Sequence, residues 1–390
     1  MNIDTKLSEI VKTIPPSAIR KFFDLANEMK GEVISLSIGE PDFITPWAIC
    51  EAGIYSLEQG RTHYSPNAGY IELREEIARY MKRKFKLSYN PKDDLVVTVG
   101  GSEAIDIAVR SLVNPGEEVI IPEPCFVSYK SCVLLAGGIP VVIPCTAENE
   151  FKLTAEDLKK AISPKTKLII TGYPNNPTGA IMTKEDWSPI VDILRETEII
   201  MLSDELYAEL TYPPAKHHSI AQFDGMKDRT VVISGLSKAF AMTGWRIGFA
   251  CGPKNIIAAM NRIHQYVIMS SPSIAQYAAI EALKNADDSV AAMRTEYNQR
   301  RRVVLDAMNA CGLSCFEPLG AFYVFPDIRS TGMSSAEFCE QLLLEERVAI
   351  VPGSAFGESG EGFVRISYAA SIENIRMAMQ KIMAFVSRRK

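Results

Sequence analysis

The sequence predicts an α/β protein with a three-layer, mostly parallel central sheet and a second, smaller α/β domain. Two observations carry this reading. From about Leu95 to Cys251, short runs rich in Val and Ile alternate with segments of helical period. After Pro253 the character shifts to longer helices, with one further pair of apolar runs among them. Strand followed by helix, repeated, implies parallel strands joined by crossover helices, and near-continuous apolar strands imply a sheet covered on both faces.

In chain order the strand candidates are Leu95–Val99, Val119–Ile121, Val141–Ile143, Leu168–Thr171, Ile199–Ser203, Val231–Ser234 and Ile247–Ala250. Helix-period segments such as Glu103–Leu112, Ala155–Ile162 and Lys184–Arg195 lie between them. Helices are then expected at Asn255–Ile268, Ser273–Asn285 and Ser289–Cys311. A strand pair, Ala321–Phe325 with Phe363–Ser367, and two further helices complete the tail. The expected division is a segment 1–45 joining the small domain, a large domain 46–285 and a small domain 286–390.

Composition narrows the partner. The 390 residues include 42 Lys and Arg against 47 Asp and Glu, a net charge of −5, so no polybasic field awaits a nucleic acid or an anionic membrane. A small-molecule partner is favoured. The first sixteen residues, MNIDTKLSEIVKTIPP, hold no continuous apolar core and read as neither signal nor transit peptide. No apolar run approaches the roughly 18 to 20 residues of a membrane helix. The eight cysteines form no CxxC pair and no Cys/His cluster, which reads as buried free thiols in a cytoplasmic protein without a metal site.

In open parallel sheets, ligands bind beyond the carboxyl ends of the strands. Four such ends are chemically unusual. Val99-Gly100-Gly101-Ser102-Glu103 runs from strand to helix through two glycines, which suits an anion on free N–H groups but also suits a plain tight connection. Asp204 and Glu205 follow Ile199–Ser203, as ligand contacts or as a solvated pair. A magnesium-dependent ATPase is disfavoured, because the chain has no Gly-Lys dipeptide and hence no GxxxxGK[ST]. In Thr230–Trp245, Lys238 is the only charge among apolar and small side chains. Burial there would favour the neutral amine, a nucleophile able to form a Schiff base, unless the side chain snorkels to the surface. Arg246 follows as a fixed cation. In Gly172–Gly179, two prolines and two glycines frame Asn175 and Asn176 in a rigid turn. The four histidines form no HExxH, and GxSxG and GxGxxG are absent.

Together with IGEPDFITP at 38–46, HYSPNAGYIELR at 63–74, YPNNPTG, SDELY, SKAFAMTGWRIGF, PGSAFG and VRISYA at 364–369, these pieces resemble class I pyridoxal-phosphate-dependent aminotransferases. The likeness is to the bacterial and archaeal branch that includes aspartate, aromatic, alanine and N-acetyl-diaminopimelate aminotransferases. The resemblance implies the aspartate aminotransferase-like fold, with pyridoxal 5′-phosphate in the large domain and an amino acid and a 2-oxo acid as substrates. It implies that Lys238 carries the cofactor as a Schiff base and shuttles a proton, and that Asp204 faces the pyridine nitrogen. Asn176 and Tyr207 would bond the ring's 3′-oxygen, and Phe126 would stack on the ring. The phosphate would sit on Gly101, Ser102 and Glu103 (the last through its backbone), with Ser237 and Arg246. Relatives often place a serine where this chain has Gly235, so one phosphate donor is expected to be missing. Arg365 and Gly39 would take the substrate carboxylate, alongside Asn176. Tyr64 would reach the phosphate of a second subunit in a homodimer with shared active sites. A carbon–sulfur β-lyase using the same cofactor is the alternative activity.

Overall fold

A computed structural model describes residues 3–14, 16, 29 and 33–389. Most of the expected N-terminal segment before residue 33 therefore lies outside the described residues. The strands, in chain order, begin with β1 (Ile34–Ser35), β2 (Leu95–Thr98), β3 (Glu118–Glu123), β4 (Ile139–Pro144), β5 (Thr166–Gly172) and β6 (Ile200–Asp204). They continue with β7 (Thr230–Gly235), β8 (Gly248–Cys251), β9 (Tyr323–Val324), β10 (Val348–Ala349), β11 (Val351–Pro352) and β12 (Val364–Ser367).

Strands β2 to β8 form one seven-stranded sheet in the order β2-β8-β7-β6-β5-β3-β4. All seven expected strands are in it. Pairings among β3 to β7 are parallel, while β8 lies antiparallel between β2 and β7. The reversal follows from the connection: no helix separates Gly235 from Gly248, and a parallel return needs a crossover.

Alternation along the strands explains why they read as unbroken apolar runs. Val119, Ile121, Leu168, Ile170 and Leu202 point into one core with the Gly100–Leu112 and Lys254–Val267 helices. Their neighbours Ile120, Ile169 and Met201 point into the opposite core, against Ala155–Ala161 and Lys184–Arg195. Successive side chains face opposite sides, so a strand buried twice needs no polar partner in its pattern. The Lys184–Arg195 helix begins where expected because Thr183 and Asp186 form a capping box.

The tail follows expectation as well. Lys254–Val267, Ser273–Asn285 and Asp287–Ala310 are helices, as are Ser335–Glu346 and Ile372–Ser387. The expected pair β9 and β12 is antiparallel, extended by β11 to three strands. A two-stranded parallel sheet, β1 with β10, joins the start of the chain to its last quarter. Helices Trp47–Glu58, Ile71–Phe85 and Ser128–Leu135 add to the expected set.

None of the eight cysteines is in a disulfide; five are buried, while Cys50, Cys311 and Cys315 are only partly so, a correction to the expectation of uniform burial. Among the described residues no helix is long and apolar enough to cross a membrane, and no cluster of His, Cys, Asp and Glu has the makings of a metal site.

Candidate active site

The carboxyl ends of β2, β5, β6 and β7 open onto one cavity of about 350 Å³. Its lining includes eleven of the residues singled out in the sequence: Gly39, Gly101, Ser102, Phe126, Asn176, Asp204, Tyr207, Ser237, Lys238, Arg246 and Arg365. Glu103 and Tyr64 are not part of that wall. Tyr64 stands 81% exposed.

Lys238 sits three residues beyond β7 and does not snorkel. Its Nζ donates to the Gly39 carbonyl at 2.5 Å and lies 5.8 Å from the Tyr207 ring centre. Burial, followed by the positive charge of Arg365, pushes its pKa down to about 8. A sizeable neutral fraction is thus present near neutrality, the form that attacks a carbonyl.

Asp204 ends β6, and the Tyr129 hydroxyl donates to its Oδ2 at 2.7 Å. The Leu206 N–H donates to Oδ1 at 3.2 Å. Burial raises the Asp204 pKa, and those two donors pull the other way. Such a carboxylate is suited to a cationic partner inside the cavity. Its neighbour Glu205 turns away into a separate network, accepting from Ser203 and Ser219 and meeting His217 at 2.8 Å.

The paired asparagines divide their work. Asn175 holds the turn together, accepting from the Thr178 N–H and hydroxyl and donating to Gly172. Asn176 faces the cavity, and its Oδ1 accepts from Arg365 Nη1 at 3.0 Å. Arg365, on β12, is 2% exposed. Its guanidinium carbon lies 4.5 Å from the Tyr323 ring centre and 4.9 Å from that of Phe356. Nη2 donates to the Ser37 carbonyl, while Nε has no partner. Among the described residues no carboxylate pairs with it. A buried guanidinium left so short of acceptors fits an incoming carboxylate, bound as a fork.

At the opposite wall the Gly100–Leu112 helix points its first turn at the cavity. Val99, at the cap position, supplies no side-chain bond to that turn. Gly100 is at φ +78, and a Cβ there would lie 2.6 Å from Arg246 Nη2. The Arg246 guanidinium therefore lies over a turn only glycine fills. Arg246 itself has φ 52, a left-handed conformation uncommon outside glycine. Free N–H groups, a helix dipole and a guanidinium converge there, as an anion requires. Gly235 also has a local reason: a Cβ would come within 3.1 Å of Gly248 Cα and the Ile247 carbonyl.

Sequence reasoning missed Tyr129, Tyr323, Glu40 and Thr243. Tyr323 donates to or accepts from the Tyr207 hydroxyl at 2.7 Å and lies beneath Arg365. Glu40 accepts from the Thr243 hydroxyl at the cavity mouth. Tyr129 lies in the first turn of the Ser128–Leu135 helix beyond β3, where a buried tyrosine reads as core, and only packing brings its hydroxyl to Asp204. Glu103 proves to be tied by its side chain, to the Val99 N–H and to His264.

Comparison with known proteins agrees with this geometry. Residues 31–382 match the family described as aminotransferase class I and II. The chain is 46% identical to an aspartate aminotransferase of Pyrococcus abyssi, over 96% of this chain and 97% of the relative. It is 45% identical to aromatic-amino-acid aminotransferase 2 of Thermococcus litoralis, over 98% and 99%. The structure of Thermus thermophilus aspartate aminotransferase with maleate superposes with a TM-score of 0.93 at 38% identity, covering 97% of this chain and 99% of that one.

Proposed function

This chain belongs to the class I and II aminotransferases, and from that premise we propose that it moves the amino group of an L-amino acid to a 2-oxo acid using pyridoxal 5′-phosphate in the cavity described. The observation that carries the cofactor is that a half-buried Lys238 with a lowered pKa and the half-buried Asp204 line one cavity. The residues present fit the group: an amine for its aldehyde, a carboxylate for its ring nitrogen, and a glycine-serine helix start with Arg246 for its phosphate. When bound, pyridoxal phosphate supplies a carbonyl for the amino group and a ring that withdraws electrons from the substrate Cα.

The chain's own residues do the rest. Lys238 would hold the cofactor by its aldehyde carbon and, as a free amine, would take the proton from the substrate Cα. Asp204 would sit against the ring nitrogen and favour its protonated form. Asn176 and Tyr207 would bond the 3′-oxygen, and Phe126 would pack against the ring. Gly101, Ser102, the Glu103 backbone, Ser237 and Arg246 would hold the phosphate. Arg365 takes the substrate carboxylate, with Gly39 and Asn176 beside it. No observation favours the β-lyase alternative.

A homodimer with Tyr64 completing the partner's phosphate site belongs to the same reading. Supporting it, Tyr64, Trp47 and Tyr266 all stand exposed. Asn67 and His63 bind the Tyr64 loop to Met269, just past the Lys254–Val267 helix, and to Ser273, which opens the next one. Exposed large apolar side chains are what a subunit interface covers. The pairing of β1 with β10 likewise supports residues 1–45 joining a small domain 286–390, apart from a large domain 46–285. Eight cysteines with no disulfide among them support a reducing, cytoplasmic setting.

Borohydride reduction of the protein loaded with pyridoxal phosphate, followed by peptide mass mapping, tests the assignment. A reduced adduct on Lys238 is expected; an adduct elsewhere, or none, overturns it.

A further inference from the structure

We propose that His264 is a positioning residue for the turn Val99–Ser102, acting through Glu103. The inference rests on the reading above, in which that turn receives the cofactor phosphate.

The Gly100–Leu112 helix lacks the usual side-chain cap, because Val99 has no oxygen to offer. Glu103 takes over part of that task. Its Oε2 accepts from the Val99 N–H at 2.5 Å, and its Oε1 meets His264 Nδ1 at 2.5 Å. Both oxygens of one carboxylate are thus used, one on the backbone just before the phosphate glycines and one on a different helix.

His264 is 0% exposed, on the Lys254–Val267 helix, whose Ile257 and Met260 pack into the same core as Ala104, Ile105 and Ala108. Its Nε2 has no partner. Among the described residues the ring's one hydrogen bond is therefore the one to Glu103. A buried imidazole costs more than an apolar residue of the same size unless its bonds repay it. Here the return is a fixed carboxylate.

Gly100 explains why fixing it matters. At φ +78 it occupies one of several backbone regions open to glycine, so an unheld turn would sample many conformations. Pinning the Val99 N–H to a rigid helix sets the turn before an anion arrives, and a pre-set site binds without the cost of ordering it. His264 touches neither cofactor nor substrate in this arrangement.

The test titrates apoprotein with pyridoxal phosphate, below the apoprotein's melting transition, and reads Kd by absorbance. His264→Leu is expected to raise Kd about tenfold, and His264→Gln, which keeps a donor, to stay within about threefold of wild type. A purely structural histidine would lower the melting temperature in both variants and leave Kd of the folded protein alone. An unchanged Kd in His264→Leu, or equal losses in the Leu and Gln variants, overturns the proposal. Should His264→Leu not fold, Glu103→Ala breaks the same link from the more exposed side, and a wild-type Kd there overturns it. Wild-type apoprotein that bound no pyridoxal phosphate would sink the cofactor reading and this inference together; wild-type binding with unaffected variants would sink this inference alone.

Discussion

The Tyr129 hydroxyl donates to Asp204 Oδ2 at 2.7 Å, so the carboxylate at the end of β6 is held by a residue from the far side of the sheet's β3 end. Burial raises the pKa of both groups, and the shared hydrogen bond favours the charged carboxylate. In Tyr129→Phe the carboxylate stays buried and loses that donor. A hydrogen bond to a charged group is worth about 1.5 to 3 kcal/mol, so kcat/KM should fall by roughly one to two orders of magnitude with the fold intact. Steady-state kinetics beside a thermal melt check this; wild-type kcat/KM would show that Tyr129 is only packing.

Lys238→Ala should abolish transamination and the visible absorption of the loaded protein, since no other amine lines the cavity among the described residues. Overall stability should hold or improve slightly, because the substitution removes a buried cation. Turnover at the wild-type rate would refute the lysine's role.

The depressed Lys238 pKa sets a direction with pH. The neutral amine is the reactive form, and with a pKa of about 8 its share is about a tenth at pH 7 and rises about tenfold per unit below pH 8. Addition of pyridoxal phosphate to apoprotein should therefore speed up from pH 6 to 8 and level off above that. An ordinary lysine would keep accelerating past pH 10. Stopped-flow absorbance over this range separates the two.

Arg365→Leu should cost about 2 to 3 kcal/mol in kcat/KM for amino acids, through loss of a charged fork on the carboxylate. Arg365→Lys should recover only part, since an ammonium cannot reproduce two parallel bonds from its place over Tyr323 and Phe356. Binding of pyridoxal phosphate itself should change little, which distinguishes a substrate clamp from a general collapse of the site.

In solution the protein should sediment as a dimer, at twice the 43.1 kDa of the chain. Tyr64→Phe, at an exposed position, should leave the assembly intact and weaken pyridoxal phosphate binding by about tenfold, the loss of one charged hydrogen bond. A monomer retaining full activity would remove the shared-site reading.

Much of this was legible in the chain. Strands buried on both faces announce themselves as apolar runs, and the chemistry at their carboxyl ends stands out because charge is otherwise scarce there; Lys238 and Asp204 stand out in this way, and Asn176 through its rigid turn. What stayed hidden depends on distance along the chain. Tyr323, between Tyr207 and Arg365, and His264, behind Glu103, are ordinary core residues by local pattern. Only packing brings them within 3 Å of residues more than a hundred positions away. The direction of β8 escaped for a related reason: its short apolar run is the same either way, and the absence of a helix between Gly235 and Gly248 is the sole local clue.

The carbonyls of Gly39 and Ser37 accept from Lys238 and Arg365, the two residues proposed to hold the cofactor and the substrate carboxylate. A stretch that precedes the first strand of the main sheet by more than fifty residues is thus part of the reaction chamber's wall. Trimming the polypeptide from its amino end past this point would strip one hydrogen-bond acceptor from each of these side chains.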